Sequence, residues 1–443
     1  MKNYYFSEEQ ELTQDTIIKI LTDFQGRDFN LLKKRYNYYI GKQPILQKVA
    51  TDVGKKVNKV VVNFINEIVA TYQGYCVGLP VTYSSEDNSF ETLFNVLKYN
   101  DVAEEDSELF KNGLVFGRSA EITYIDKEKK TRFKALDPET VIPIYANTLD
   151  GDLIYVIRFY EEQLTDADTP VYIVEVYSKD RITTYRSGVG FASLEFIKEE
   201  RHNFGDVPIV IFSLNKEEQS VAEQVWSLQD AYNTLYSDGI DDWESFCDAY
   251  MVIKGMTADE EDLKRMKEHR VLIMDSDADA SYLVKDVSTT EIENLLDNTE
   301  DKIREISACP DFSQENFGTS SGIAIQYRCM ALENKASSIM TNFKKALQRR
   351  IELLSNIEKL VQGEEVWRDV DIDFTRNIPV NYQEIYQNIN LLRGLVSDET
   401  LLSQVPFVDD VDEEVKKIEK QRELQREIYS FGLQDVVEDK NEE

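Results

Sequence analysis

An α+β subunit is the fold class that this sequence predicts, on three observations. Between about residues 80 and 215, short runs rich in β-branched and aromatic residues are bounded by Gly, Asp, Asn and Pro, the pattern of a largely antiparallel sheet. On either side of that region apolar residues recur at helical spacing, as in helices that bury one face. Two long helical stretches then bracket a small insert at 254–288, and a further helix of roughly 40 residues follows.

The elements follow in chain order. Residues 1 to about 45 carry one helical segment, TQDTIIKILTDFQGRDFNLLKKRYNYYI, and a second helix, NKVVVNFINEIVATYQGYCVG, is predicted from about 58 to Gly78. In the second, Val61, Phe64, Ile65, Ile68 and Val69 form the buried stripe. The strands read as VTYSS, AEITYID, TRFKALD, LIYVIRFYEE, VYIVEVYS, RITTYRS, FASLEFI and VPIVIFS, interrupted by one helix, VAEEDSELFKNGLVFG.

From about 219 the pattern turns helical. Val221, Val225, Leu228, Tyr232, Leu235, Trp243, Phe246 and Tyr250 fall on one stripe of a helix of roughly 30 residues, about 45 Å long. After the acidic insert comes TTEIENLLDNTEDKIREISA, with Thr290 and Glu293 placed as a capping box. If the two helices pack antiparallel, the insert sits at the far end of a stalk. Pro310, Gly318 and Gly322 forbid regular structure in CPDFSQENFGTSSG (309–322), although Phe312 and Phe317 are apolar. In the long helix that follows, Ile325, Leu332, Ile339, Ala346 and Leu353 recur every seven residues, with Cys329, Ala336, Phe343 and Ile357 between them, which also suits a coiled coil. Lys344, Lys345, Arg349 and Arg350 form the one basic cluster, read as a solvated or ion-paired face. A strand, VDIDFTRN, and two or three C-terminal helices complete the chain, and the tail VVEDKNEE frays.

Composition excludes several functions. Among 443 residues, 50 Lys and Arg stand against 83 Asp and Glu, a net charge of −33, so the surface lacks the positive charge of a tight nucleic-acid binder. No apolar run approaches the roughly 18 residues of a membrane span, and MKNYYFSEEQEL lacks the marks of a signal peptide, so no membrane partner and a cytoplasmic site of synthesis are expected. Cys76, Cys247, Cys309 and Cys329 are scattered and read as free buried thiols. Only His202 and His269 are present, both read as surface or capping residues, which disfavours most histidine-dependent enzymes. No phosphate-binding glycine loop occurs, and SGVGFAS (187–193) reads as a turn. Asp275, Asp277, Asp279 and Asp286 are spaced like calcium ligands, but Ala280 replaces the turn glycine and Asp286 the bidentate Glu, so an acidic hairpin turn is expected. No cofactor, no metal and no catalytic residue are expected. The alternatives are a coiled-coil adaptor, or a carboxylate and metal-dependent nuclease using Asp275 to Asp286 or Asp150 and Asp152.

The order of elements and several runs resemble the portal proteins of tailed double-stranded DNA bacteriophages, in the branch of long-tailed phages and prophages of Gram-positive bacteria. The runs are RYNYYIGKQPI (35–45), VVVNFINEIVATYQGYCVGLPVTYS (60–84), YNDVAEEDSELFKNGLVFGRSAEITY (99–124), ALDPETVIPIY (135–145), the stretch VPIVIFS to MVIKG (207–255) and SSGIAIQY (320–327). The resemblance runs to about residue 360; Leu214 departs from an Asn common before Asn215, and the C-terminal helices are short.

It implies a dodecameric ring at one capsid vertex of the virion, assembled in the host cytoplasm, through which double-stranded DNA is packaged and ejected. The implied partners are other copies of the chain, the terminase large subunit, a head-tail adaptor, and the major capsid and scaffolding proteins. The implied organisation is an αβ wing (1–218), long antiparallel stem helices (219–252 and 289–308), a small α/β clip (253–288), a tunnel loop (309–322), a long kinked helix with a return strand (323–380), and a helical crown and tail (381–443). The tunnel loop would face DNA with Phe312, Ser313, Gln314, Glu315, Asn316, Phe317, Gly318, Thr319, Ser320 and Ser321. The clip would face partners with Asp259, Glu260, Glu261, Lys264, Asp275, Asp277 and Asp279.

Overall fold

Thr13 begins the first helix in the computed structural model of the chain: its hydroxyl accepts the amide of Thr16 at 3.4 Å, and α1 (Gln14–Gly26) buries Ile17, Ile20, Leu21 and Phe24. Arg27 then leaves helical geometry at φ −121° and ψ −69°, and α2 (Asp28–Tyr39) starts on a new axis. The stretch read as one helix is therefore two. The structure describes residues 1, 3–7, 11–50, 57–85, 90–162, 171–247, 250–254, 279–283, 289–311, 322–358, 366–377, 382–403 and 414–422, with isolated positions 261, 264, 405, 408 and 411.

The chain divides into two compact units, Met1–Asp311 with Ala331–Asn377, and Phe312–Met330 with Ile378–Glu443. In the first, α3 (Phe64–Val77) is shorter than predicted: residues 57–63 lie in no helix or strand, and Asn63 caps the helix by accepting the amide of Asn66 at 3.3 Å. Val61 thus lies outside the helix, while Phe64, Ile65, Ile68 and Val69 are buried as expected. Beyond β2 (Thr82–Ser84), α4 (Glu91–Tyr99) and α5 (Val102–Phe116) lead into β3 (Arg118–Ile125). Gly117 makes that turn at φ +79°, where a side chain would also meet the carbonyl of Glu218. Gly113 lets α5 lie against the ring of Phe212, which a Cβ would approach to 2.3 Å.

The remaining strands of the body are β4 (Thr131–Leu136), β5 (Val141–Ala146), β6 (Leu153–Glu162), β7 (Val171–Tyr177), β8 (Arg181–Ser187), β9 (Leu194–Arg201) and β10 (Ile209–Ser213). A short N-terminal strand, β1 (Tyr4–Phe6), pairs in parallel with β5, and the other neighbours are antiparallel, giving a six-stranded sheet in the order β1-β5-β6-β7-β8-β9. β10, β3 and β4 form a second, three-stranded sheet. Side chains finish its β4 edge: Asn100 accepts the amide of Phe133 at 3.4 Å and donates to the carbonyl of Thr131 at 3.1 Å, and Glu105 accepts the amide of Ala135 at 2.9 Å. A core of Ala120, Leu136, Val141, Val156, Tyr177, Val207 and Ile209 draws on both sheets, as alternating strands with one buried face require.

Next come α6 (Trp226–Cys247), β11 (Tyr250–Lys254), β12 (Asp279–Leu283) and α7 (Thr289–Ser307). The first of these helices has 22 residues, about 33 Å, and not the roughly 45 Å predicted. Val221 and Val225 precede it, and Tyr250 belongs to β11, opposite Leu283. Its inner face is only partly the one predicted: Tyr232 is buried, but Trp243 is 60% exposed, and Gln229, Asn233 and Ser237 are wholly buried. α8 (Gly322–Glu358) has 37 residues, about 55 Å, and β13 (Asp371–Asp373) follows it to pair with β2.

The second unit contains the start of α8 together with α9 (Tyr382–Leu392) and α10 (Asp398–Leu402), the latter capped by the hydroxyl of Ser397 on the amide of Thr400. Tyr386, Leu391, Leu392, Leu395 and Val396 are exposed there.

Candidate functional site

The paired helices α6 and α7, with β11 and β12 between them in sequence, are rooted in the body by aromatic and ionic contacts. Tyr38 stacks on Trp226 at 4.5 Å between ring centroids and donates its hydroxyl to Asp230 at 2.7 Å. Just ahead of the helix, Glu223 accepts two bonds from Arg35, at 2.6 and 3.0 Å, and Arg35 also donates to the carbonyl of Phe116. Arg35 is 2% exposed, and a buried guanidinium is tolerated because each face of its fork meets an oxygen. Gly239 lies on the side of α6 that faces Ile292 of α7, with room for close packing.

At its other end α7 is held as firmly. Arg304 binds Glu67 of α3 at 3.1 Å and Glu300 at 3.0 Å, and Tyr72 donates to the carbonyl of Ser307 at 2.8 Å. Lys335 of α8 donates to the carbonyl of Ile306 at 2.5 Å, placing a cation where the helix leaves unpaired carbonyls. Cys309 is buried beside this junction, and burial pushes its thiol up to about 12; Cys76, also buried, is pushed to about 12. Both are inert core thiols, and Cys329 is buried and free as well. The root of the loop that begins at Cys309 is therefore fixed.

α8 is fastened to the body by its buried face. Phe343 packs edge-on against Phe110 and Phe212, each at 5.0 Å, so the heptad seam along this part of the helix is consumed within the body and leaves no coiled-coil stripe there. Two turns on, Arg350 is fully buried. It forms a fork with Glu121 at 2.7 and 2.5 Å, binds Asp106, lies over the ring of Phe133, and meets the hydroxyl of Tyr83, which donates to Asp106 at 2.7 Å. Burial alone would depress the Arg350 guanidinium, but Glu121 and Asp106 hold its pKa well above the ordinary value. The predicted basic cluster thus divides: Arg350 locks α8 to β2, α5 and β3, Arg349 pairs with Asp206 and Glu352, and Lys345 is exposed. Nearer the start of the helix, Glu333 accepts Arg376 and Tyr75; burial would raise its carboxyl, but those bonds outweigh it and hold the pKa below the usual range.

A cleft of about 1230 Å³ opens between the six-stranded sheet and the side of β10 and α8. Tyr155, Tyr185, Ile209 and Ile211 line it, and some of its rim charges are paired in place: Arg181 with Asp180 and Glu199, and Arg349 with Asp206. His202 is half-buried nearby in sequence, its Nε2 donating to the carbonyl of Ser178 at 2.9 Å, and burial lowers its pKa. It closes the β7–β8 turn, a capping use.

The residues singled out from the sequence fall elsewhere. Phe312 through Ser321 lie outside the described residues, as do Asp259, Glu260, Asp275, Asp277, Asp286 and His269. Glu261 and Lys264 are exposed, and Asp279 opens β12 opposite Lys254. What sequence reasoning missed is the polar face of α6, although four hydrogen-bonding residues at strict intervals of four, Gln229, Asn233, Ser237 and Asp241, were its signal. Among the described residues no helix is long and apolar enough to cross a membrane.

Comparison with known proteins agrees with the resemblance. The family described as "Phage portal protein, SPP1 Gp6-like" matches residues 18–427. A relative named "Portal protein" from Bacillus phage SPP1 is 23% identical over 383 residues, covering 82% of this chain and 75% of its own. Another "Portal protein", from Clostridium phage phiCD119, is 23% identical over 432 residues, covering 91% and 95%. With its body of mixed sheet and helix, its paired helices and the family match along nearly its whole length, the chain belongs to the SPP1 Gp6-like family of phage portal proteins.

Proposed function

We propose that copies of this chain close into a dodecameric ring at one vertex of the phage capsid, forming the channel through which double-stranded DNA is packaged and later ejected. Family membership over residues 18–427 is the observation that carries the reading. In it, residues 1–218 are the wing, 219–252 and 289–308, which contain α6 and α7, the stem, 253–288 the clip, 309–322 the tunnel loop, 323–380 the long helix and return strand, and 381–443 the crown and tail. The rooted ends of α6 and α7 support that division, since a stalk that carries load needs a fixed base.

The chemistry suits a conduit. Each phosphate neutralised by a cation adds salt-dependent affinity, and such contacts would brake a sliding duplex. A chain of net charge −33 instead repels the backbone and keeps it centred. Asn316, Thr319, Ser320 and Ser321 offer exchangeable polar contacts to DNA, and Phe312 and Phe317 pack between neighbouring copies. The acidic clip, including Asp259, Glu260 and Glu261, receives the terminase large subunit and then the head-tail adaptor, and the energy of translocation comes from the motor.

Negative-stain imaging with light scattering tests the ring: closed rings of roughly twelve-fold subunit mass are expected, and a monodisperse dimer in the presence of capsid-assembly partners would overturn the reading. Deleting 313–319 should leave rings intact and impair packaging or retention of DNA. Normal packaging and retention would remove the loop from the mechanism.

A further inference from the structure

Residues 57–63 run as a strap beside α6 and belong to no strand of the described sheets. Every second amide from Asn58 to Phe64, the first residue of α3, is nonetheless accepted by a side chain of the helix. Asp241 accepts the amide of Asn58 at 2.8 Å, Ser237 that of Val60 at 3.1 Å, Asn233 that of Val62 at 2.9 Å, and Gln229 that of Phe64 at 3.0 Å. Gln229 also donates to the carbonyl of Val62 at 2.6 Å.

The match is geometric. Four helical residues rise about 6.0 Å, and two extended residues span about 6.6 Å, so acceptors four apart on the helix meet amides two apart on the strap. A helix face stands in for the neighbouring strand.

We propose that this ladder is a register clamp, a conformational device that sets the axial position of α6 and passes any axial displacement of the helix to the strap. From there it reaches α2 and α3, because Gln43 donates to the Tyr38 carbonyl at 3.2 Å and to Asn63, the cap of α3, at 3.0 Å. The unequal rungs select one register. Asn233 also donates to Gln43, and Asp241 also accepts Lys48, which reaches Asp238 at 2.5 Å. Sliding α6 one turn one way sets Val225, which has no acceptor, level with Phe64. The opposite slide brings position 245, also a serine, level with Asn58, but it takes Gln229 from Val62, Asn233 from Gln43 and Asp241 from Lys48. All four bonds join the same two segments, so a slide of one past the other breaks them together. The clamp does not depend on the ring proposed above.

Residue-resolved hydrogen exchange on the full chain tests it. Amides 58, 60, 62 and 64 should be protected while 59, 61 and 63 exchange fast, an alternation otherwise seen only at a strand edge. Ser237→Ala should raise exchange roughly tenfold at Val60, the counterpart of one lost buried hydrogen bond, and also at Asn58 and Val62, whereas Ser237→Thr keeps the hydroxyl and the protection. Uniform exchange across 58–64 in the unaltered chain would overturn the ladder. An effect of Ser237→Ala confined to Val60 would overturn the clamp, and if that variant does not fold, the alternation in the unaltered chain still decides whether the ladder exists.

Discussion

Replacing Arg350 with Met should be among the most damaging single substitutions in the body. The guanidinium is fully buried between Glu121 and Asp106, which are 0% and 1% exposed, and Met fills similar space without charge. Both carboxylates would then be sealed from water without a cation, and Tyr83 would be left donating to an unneutralised Asp106. Removing one partner of a buried pair costs about 3–5 kcal/mol, most of it from the stranded charge and not from the lost attraction. Urea denaturation of the full chain, followed by far-ultraviolet circular dichroism, should show that loss. The triple change Arg350→Met, Glu121→Gln and Asp106→Asn, which removes every charge and keeps the shapes, should regain at least half of it. A loss below about 1 kcal/mol for Arg350→Met, or a triple variant worse than the single one, would refute the stranded-charge argument.

Gly113→Ala should destabilise the body by about 1–3 kcal/mol in the same assay, because its Cβ would lie 2.3 Å from the ring of Phe212, and Phe212 is itself stacked on Phe110 and edge-on to Phe343. For His202 the sign follows from its lowered pKa: the unfolded chain binds a proton more readily, so stability should rise with pH from the folded value up to about 6.5. His202→Gln should flatten that slope in thermal melts across the acid range, and an unchanged slope would assign it to other groups.

The sheet was legible because its strands carry their own signal: LIYVIRFYEE and VYIVEVYS became β6 and β7 within a residue of the expected bounds. Helix periodicity was legible where the partner is apolar, as at Phe64, Ile65, Ile68 and Val69. It failed where a polar partner decides. NKVVVN has helix-compatible spacing but is pulled straight by acceptors on α6, more than 160 positions away in the chain, as the Phe64–Gln229 separation of 165 shows. For the same reason the apolar stripe of α6 was right at Tyr232 but wrong at Trp243, and the buried face also holds an amide, a second amide and a hydroxyl. The break at Arg27 follows Gly26, a local helix-stop signal that the single-segment reading passed over. The tunnel-loop and clip residues were chosen by resemblance; Phe312 to Ser321 and most of the clip positions lie outside the described residues, and the role of the loop rests on the deletion experiment.

Asn100 and Glu105 have a consequence beyond the body they complete. A bare strand rim is a template on which another polypeptide can align, and many copies brought together in one assembly multiply the chances of such templating. Along β4 the template is already filled by the chain's own amide and carboxylate groups. Copies meeting at this rim must recognise one another through side-chain shape and charge, which permits a closed assembly and denies a growing fibre its seed.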